Sequence, residues 1–194
     1  MVGWGADIVD ALAPTGYLKA GVLRVEWLKL QLELAGGLYT SSINHCPLPP
    51  GKSEIDVSAD YLSKVRMAMR SQLQMSLGEL FFQEERNTQY YFTIPGIWNE
   101  AVQKALRAAI IQAGYLGDEN DDCLSYVSEG EAAAHYCLKY SVLSLEVKDV
   151  VLIVDCGGAT VDLQAFELAN GSPLSFAKFT CGSGDIICGS DCPF

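Results

Sequence analysis

The feature that most constrains this chain is the stretch VVLIVDCGGATVDLQAFEL, residues 150–168. An apolar run ends in Asp155, passes through Gly157-Gly158-Ala159-Thr160, and resumes as an alternating pattern through Val161, Leu163 and Ala165. Two strands joined by a glycine turn make a β-hairpin. Glycine has no Cβ, so successive backbone N–H groups at such a turn can converge on a phosphate that side chains would otherwise block. Asp155, at the strand end, suits a magnesium ion held directly or through its waters, because Mg²⁺ takes hard oxygen ligands and keeps much of its hydration. Thr160 offers a hydroxyl to a phosphate oxygen. Asp162 falls on the same side of the strand, since side chains alternate. The plain alternative is that a D-x-G-G turn merely closes a hairpin. A helix-led phosphate loop does not fit: G-x-x-x-x-G-K-[ST] is absent, and a strand rather than a helix follows the glycines.

The rest of the composition narrows the field. The chain has 194 residues, 49% of them apolar and 19% charged. That is enough for one large domain or parts of two lobes with a hydrophobic core, and it excludes a disordered chain. A formal charge of −11 argues against nucleic acid as a partner, because phosphate backbones need clustered Lys and Arg. It leaves a nucleotide possible, since backbone N–H groups hold phosphates without many cations. No run approaches the roughly 18–20 apolar residues of a membrane span. The opening segment MVGWGADIVDALAP has neither a basic leader nor a continuous apolar core, so no secretory signal is expected. Seven cysteines, with no C-x-x-C pair, read as reduced thiols of a cytoplasmic protein. Cys181, Cys188 and Cys192 are spaced C-x6-C-x3-C, which is not a usual zinc knuckle. Two histidines and no G-x-S-x-G elbow speak against a nucleophilic hydrolase. Cys156 reads as a packing residue at a buried strand end.

Along the chain, Val25, Trp27, Leu30, Leu32 and Leu34 nearly alternate with polar residues, as a strand would. The Leu, Glu and Gln content suits a helix equally. The prolines of Cys46-Pro47-Leu48-Pro49-Pro50-Gly51 break the chain. A helix is then predicted from Asp56 as N-cap, with Leu62, Val65, Met69, Leu73 and Leu77 at helical spacing and Gly78 as a left-handed C-cap. Tyr90–Ile94 reads as a short buried strand. A second helix from about Trp98 to Ala113 carries a ridge of Ala101, Ala105, Ala109 and Ala113, which permits close packing. The acidic run 118–122 reads as a solvated loop. Strands near Leu124–Val127, Val150–Asp155, Val161–Leu168 and Leu174–Thr180, with a helix over Glu131–Tyr140, complete an α/β class.

Three segments together resemble a known family. Asp155-Cys156-Gly157-Gly158-Ala159-Thr160-Val161-Asp162 is similar to the second phosphate motif, D-x-G-G-G-T-x-D, of the actin, sugar-kinase and heat-shock chaperone superfamily. Thr93-Ile94-Pro95-Gly96-Ile97-Trp98-Asn99-Glu100 resembles the chaperones' T-V-P-A-x-[FW]-x-[DE]. Ser128-Glu129-Gly130-Glu131-Ala132-Ala133-Ala134 resembles their [NS]-E-P-x-A-A-A. All three occur in the family's order over about 105 residues of this sequence. The chain therefore resembles the 70 kDa heat-shock chaperones, and within them a large, divergent branch.

The resemblance implies a partial actin-like, ribonuclease H-like ATPase fold, covering the end of lobe I and the start of lobe II. Residues 1–147 would belong to the first lobe and 148–194 to the second. It implies ATP or ADP with Mg²⁺ as ligands, and clients or co-chaperones as partners of the complete protein. Glu129 would help place the attacking water, although a helix N-terminal acid favoured by the dipole is the simpler reading. Asp155 would hold Mg²⁺ through water. Gly157, Gly158 and Ala159 would cradle phosphate, with Thr160 near the terminal phosphate and Gly189 on the nucleotide side. Pro95 would relay nucleotide state between domains, or simply start a turn. Ala159 stands where the family has a third glycine, at a cost on the order of 1 kcal/mol if the position needs a left-handed backbone. Gly130 stands where proline is common. No D-x-G-T hairpin precedes residue 155, and no family-type lysine motif is present. Half a cleft lacks contacts that phosphoryl transfer needs, so weak or absent ATPase activity is expected of this chain, with uncovered sheet edges and apolar faces. The competing expectation is a non-catalytic, degenerate module that acts through protein interactions.

Overall fold

The computed structural model describes residues 3–38, 47–140, 145–157, 160–171, 174–178 and 183–186. Within them lie five α-helices and six β-strands in mixed order. The α/β class expected from the sequence holds, and the architecture is compatible with part of an actin-like ATPase fold. No helix among the described residues is long and apolar enough to cross a membrane. The chain divides into two compact units: Met1–Tyr90 with Asn99–Leu124, and Tyr91–Trp98 with Ser125–Phe194.

The first unit is helical. A 3-10 segment, Gly5–Ala11, leads to α1 (Leu28–Ala35), α2 (Glu54–Leu77), α3 (Glu79–Glu84) and α4 (Glu100–Gln112). The alternating leucines of α1 leave it legible as strand or helix, and helix prevails. Leu, Lys, Gln and Glu are all good helix formers, and Leu30 and Leu32 are still buried in that conformation. At its end Gly36 lies against α4 so closely that a Cβ would sit 2.4 Å from Val102 Cγ2 and 2.7 Å from its Cα. The small residue sets that approach.

The start of α2 differs from expectation. Ser53, not Asp56, is the N-cap: its hydroxyl accepts from the Asp56 N–H at 3.2 Å, and Asp56 Oδ2 accepts from the Ser53 N–H at 2.8 Å. This is a capping box, with a carboxylate three residues into the helix doing the reciprocal work of the usual Glu or Gln. Gly78 ends α2 as expected, but with φ +58 and ψ −132 it lies outside the left-handed helical region that the sequence reading assigned to it. Asn99 caps α4 by accepting from Val102 N–H at 3.0 Å. Three residues of the alanine ridge, Ala105, Ala109 and Ala113, are buried in the packing with α1 and α2. Asp56 also joins the helices, accepting at Oδ1 from Gln112 Nε2 at 2.9 Å.

The second unit is built on sheets. Strands β1 (Tyr90–Ile94) and β2 (Leu124–Ser128) form a pair, and α5 spans Glu129–Tyr140. The remaining sheet holds β3 (Val150–Cys156), β4 (Thr160–Gly171), β5 (Leu174–Lys178) and β6 (Ser183–Ile186), all pairing through β4 in antiparallel fashion. Strand β1 alternates in burial rather than being buried throughout, and α5 begins two residues earlier than the sequence pattern marks.

The hydrogen bonds from Gln112 and Ser53 hold the Asp56 carboxyl down at about 2, against an ordinary 3.8. Because the folded value lies below the unfolded one, the associated stability is fully present above pH 3.8 and is lost as pH falls towards 2. Gln112→Ala should therefore raise the Asp56 titration in an NMR pH series. Its stability deficit relative to the parent chain should be constant from pH 5 to 7 and should shrink between pH 3.8 and 2. An unchanged gap across that window would remove the role assigned to this bond.

Candidate functional site

The glycine hairpin is where the sequence places it. Strands β3 and β4 pair with Val151 opposite Phe166, Ile153 opposite Gln164, and Asp155 opposite Asp162. Alternation makes these six residues one face of the hairpin. On β4 that face is buried, from Asp162 through Gln164 and Phe166 to Leu168. Helix α5 packs on both strands, and an aromatic relay runs from His135 to Phe176 and on to Phe166, with centroids 5.0 and 6.0 Å apart.

The other face of β3 is open. Val150, Leu152 and Val154 are 50, 60 and 54% exposed. The apolar run of β3 thus has two unlike sides: one is covered by α5 and the other meets solvent. Cys156 belongs to the open side and is exposed, so it is not a packing residue at a buried strand end.

Gln164 organises the covered face. Its side chain is 3% exposed, and its Oε1 accepts from the Ser128 hydroxyl at 3.1 Å. The same hydroxyl accepts from the Glu131 N–H at 3.2 Å, so Ser128 caps the start of α5 while touching β4. The amide fills space left by two glycines. A Cβ on Gly96 would lie 1.4 Å from Gln164 Nε2, and one on Gly130 would lie 2.2 Å from Oε1. One side chain on the strand after the glycine turn therefore touches two of the segments that resemble the chaperones, the turn at Pro95-Gly96 and the Ser128-Glu129-Gly130 helix start, and lies two residues beyond the third. Pro95 is buried, and its carbonyl accepts from Trp98 N–H at 3.1 Å, which closes that turn.

Of the residues singled out from sequence, Asp155 is half-buried at the hairpin mouth opposite the buried Asp162. Glu129 is the first residue of α5, adjoining Ser128 and Gly130, which both meet Gln164. Asp162 lies two residues from Gln164 on the same strand face, a rise of about 7 Å. Asp155 and Asp162 are thus paired across the hairpin, and Glu129 begins the helix whose neighbouring residues meet Gln164. Thr160 begins β4, with its backbone paired to Ile186. Gly157 follows β3 and is exposed. Gly158, Ala159 and Gly189, like Cys181, Cys188 and Cys192, lie outside the described residues. Among the described residues no three His, Cys, Asp or Glu side chains cluster as a metal cage. A half-buried carboxylate at the mouth fits a hydrated Mg²⁺ held through its waters better than a dehydrated ion in a protein cage.

Sequence reasoning did not single out Gln164. Its one local signal is parity, because it shares a strand face with Asp162, Phe166 and Leu168 and is nonetheless polar.

No protein-family model matches the chain. The chain is similar to heat shock 70 kDa protein 12A of Mus musculus, with 34% identity over 71 residues, 35% of this chain and 10% of that protein. It is similar to the Homo sapiens protein of the same name, with 36% identity over 56 residues, 29% of this chain and 8% of that protein. The matched stretch spans about a tenth of the length of these relatives. This is a resemblance to the 70 kDa heat-shock type over roughly a third of the chain.

The packing around Gln164 gives a signed prediction. Gly130 lies inside a helix without positive φ, where alanine is ordinarily favoured over glycine by up to about 1 kcal/mol. Here Gly130→Ala should destabilise the chain by about 1–3 kcal/mol through overpacking. In a Gln164→Ala background the same change should become neutral or stabilising, a coupling of about 0.5–3 kcal/mol in urea melts. Additive effects would show that the amide does not fill this space.

Proposed function

We propose that the chain carries the second-lobe phosphate hairpin and neighbouring carboxylate of a 70 kDa heat-shock-like nucleotide-binding domain. The supporting observation is that Gln164 joins Ser128-Glu129-Gly130, Pro95-Gly96 and the hairpin strand in one packed face. The partial similarity to heat shock 70 kDa protein 12A points the same way. In this reading residues 1–147 belong to a first lobe and residues from 148 to a second. The complete protein binds ATP or ADP with Mg²⁺ in the cytoplasm and works as a chaperone with clients or co-chaperones.

The residue roles are those that the resemblance implies. Asp155 holds the waters of Mg²⁺, which when bound supplies charge neutralisation of the phosphates. Backbone N–H groups at Gly157, Gly158 and Ala159 donate to phosphate oxygens, and the Thr160 hydroxyl adds a donor near the terminal phosphate. Glu129 accepts a hydrogen bond from the attacking water and orients it. Gly189 lies on the nucleotide side. The sequence carries one such hairpin, while transfer requires charge stabilisation from both sides of the cleft. ATP turnover by this chain alone is therefore weak or absent.

A second reading is a non-catalytic module that acts through protein contacts. The observation that favours it is the open apolar row Val150, Leu152 and Val154.

Calorimetry of Mg²⁺-dependent ATP binding separates the two. Extending the chain at both ends should give binding that Asp155→Asn weakens by roughly tenfold or more, a loss of about 1.4 kcal/mol. The 194-residue chain should bind far more weakly. Absence of Mg²⁺-dependent binding in the extended protein would discard the nucleotide reading and leave the module. Steady turnover by the short chain, lost in Asp155→Asn, would overturn the weak-activity expectation.

A further inference from the structure

The sequence contains five arginines: Arg24, Arg66, Arg70, Arg86 and Arg107. Three of them, Arg66, Arg70 and Arg86, line one cleft of about 330 Å³ in the helical unit, with Glu85, Thr88 and Asp121. For a chain of net charge −11 this is a local reversal of sign. The two carboxylates are already engaged. Glu85 pairs with Arg70, whose Nη2 donates to Oε2 at 2.9 Å and whose Nε lies 2.6 Å from Oε1, and it reaches Arg66 Nη2 at 3.9 Å. Asp121 accepts from the backbone N–H groups of Gly117 and Cys123, both at 3.0 Å, and these bonds hold its carboxyl below the usual range.

Arg86 and the loosely paired Arg66 are the cations left to face the cleft. Arg66 has a buried Nε with no hydrogen-bond partner among the described residues, and its guanidinium stacks over the Tyr115 ring at 5.9 Å. Tyr115 is itself fixed by its hydroxyl bond to the Leu62 carbonyl at 3.2 Å and by the edge of Tyr90, 5.1 Å between centroids. Arg66 is thus a pre-oriented donor. Arg86 is exposed and has no ion-pair partner among the described residues. The Thr88 side chain adds a hydroxyl to the same wall.

We propose that this cleft is a binding site for a compact oxyanion of the phosphate class, free phosphate or the head of a small phosphomonoester. Guanidinium forks match the oxygen spacing of phosphate, and the unpaired Arg86 with the loosely paired Arg66 balances a dianion. The volume is at the lower end for small-ligand clefts, which suits a compact ligand. A polyanion is disfavoured by the acidity of the rest of the chain. The site belongs to the helical unit and does not depend on the nucleotide reading of the hairpin.

The test uses the full chain at fixed ionic strength, titrated separately with inorganic phosphate and phenyl phosphate, with chloride as control. Side-chain Nε–Hε resonances of Arg66 and Arg86 should shift saturably, with a Kd below about 1 mM. Arg86→Gln should weaken binding at least about fivefold without changing the melting temperature, because that side chain braces nothing. Arg66→Lys, which keeps charge but loses the fork, should also weaken it. Tighter binding of phenyl phosphate identifies an ester ligand; equal affinity identifies free phosphate. Linear shifts without saturation, or full affinity in Arg86→Gln, would overturn the site and leave the arginines as a brace between α2 and the Glu85 turn.

Discussion

A buried amide beneath two glycines is the constraint around which the sheet-based unit is arranged. Gln164 occupies space that any side chain at Gly96 or Gly130 would contest, and it spends its Oε1 on Ser128. Burying a polar group is costly unless it is bonded, and the Ser128 hydroxyl satisfies the Oε1 end of this amide, while Nε2 has no hydrogen-bond partner among the described residues. The same hydroxyl caps α5. The start of α5 in turn fixes Glu129 beside the hairpin. Sequence, capping and site geometry are one linked choice here.

The helical unit depends on a different device. Its helices approach through small residues, Gly36 against Val102 and the alanine ridge of α4, with Leu30, Leu32, Leu106 and Ile110 buried among them. Polar ties then set the register: Asp56 serves the capping box and Gln112 together. Only the first half of α2 benefits. Val57 and Ala59 are buried, while Met75 and Leu77 beyond them are exposed. The helix continues past its packing partners because its residues favour helix, not because its stripe is covered.

What could be read from the chain depended on whether the determining partners were local. The hairpin of β3 and β4 was legible because period-two alternation and adjacent glycines are neighbours in sequence. Helix α4 was legible from the alanine spacing. Helix α1 was ambiguous, since LKLQLELA satisfies a strand pattern and a helix propensity at once. Ser53 was passed over for Asp56 because both are good caps, and only the reciprocal bonds distinguish cap from third residue. Gln164 was not legible at all: its partners lie 68 and 34 positions away at Gly96 and Gly130, and no local pattern joins them. The arginine cleft was hidden for the same reason, being assembled from α2, the turn after α3 and the loop that follows α4.

The departures from the chaperone pattern are not all of one kind. Where the chaperone motifs carry alanine and proline, this chain has Gly96 and Gly130, and both glycines border the same glutamine. Space left open beside two glycines would cost the contacts on its lining. A single long side chain, already on the inward parity of β4, fills both and keeps a hydrogen bond to Ser128. A packed face that is to stay closed without a void needs such a filler, so the amide and the two glycines belong to one arrangement.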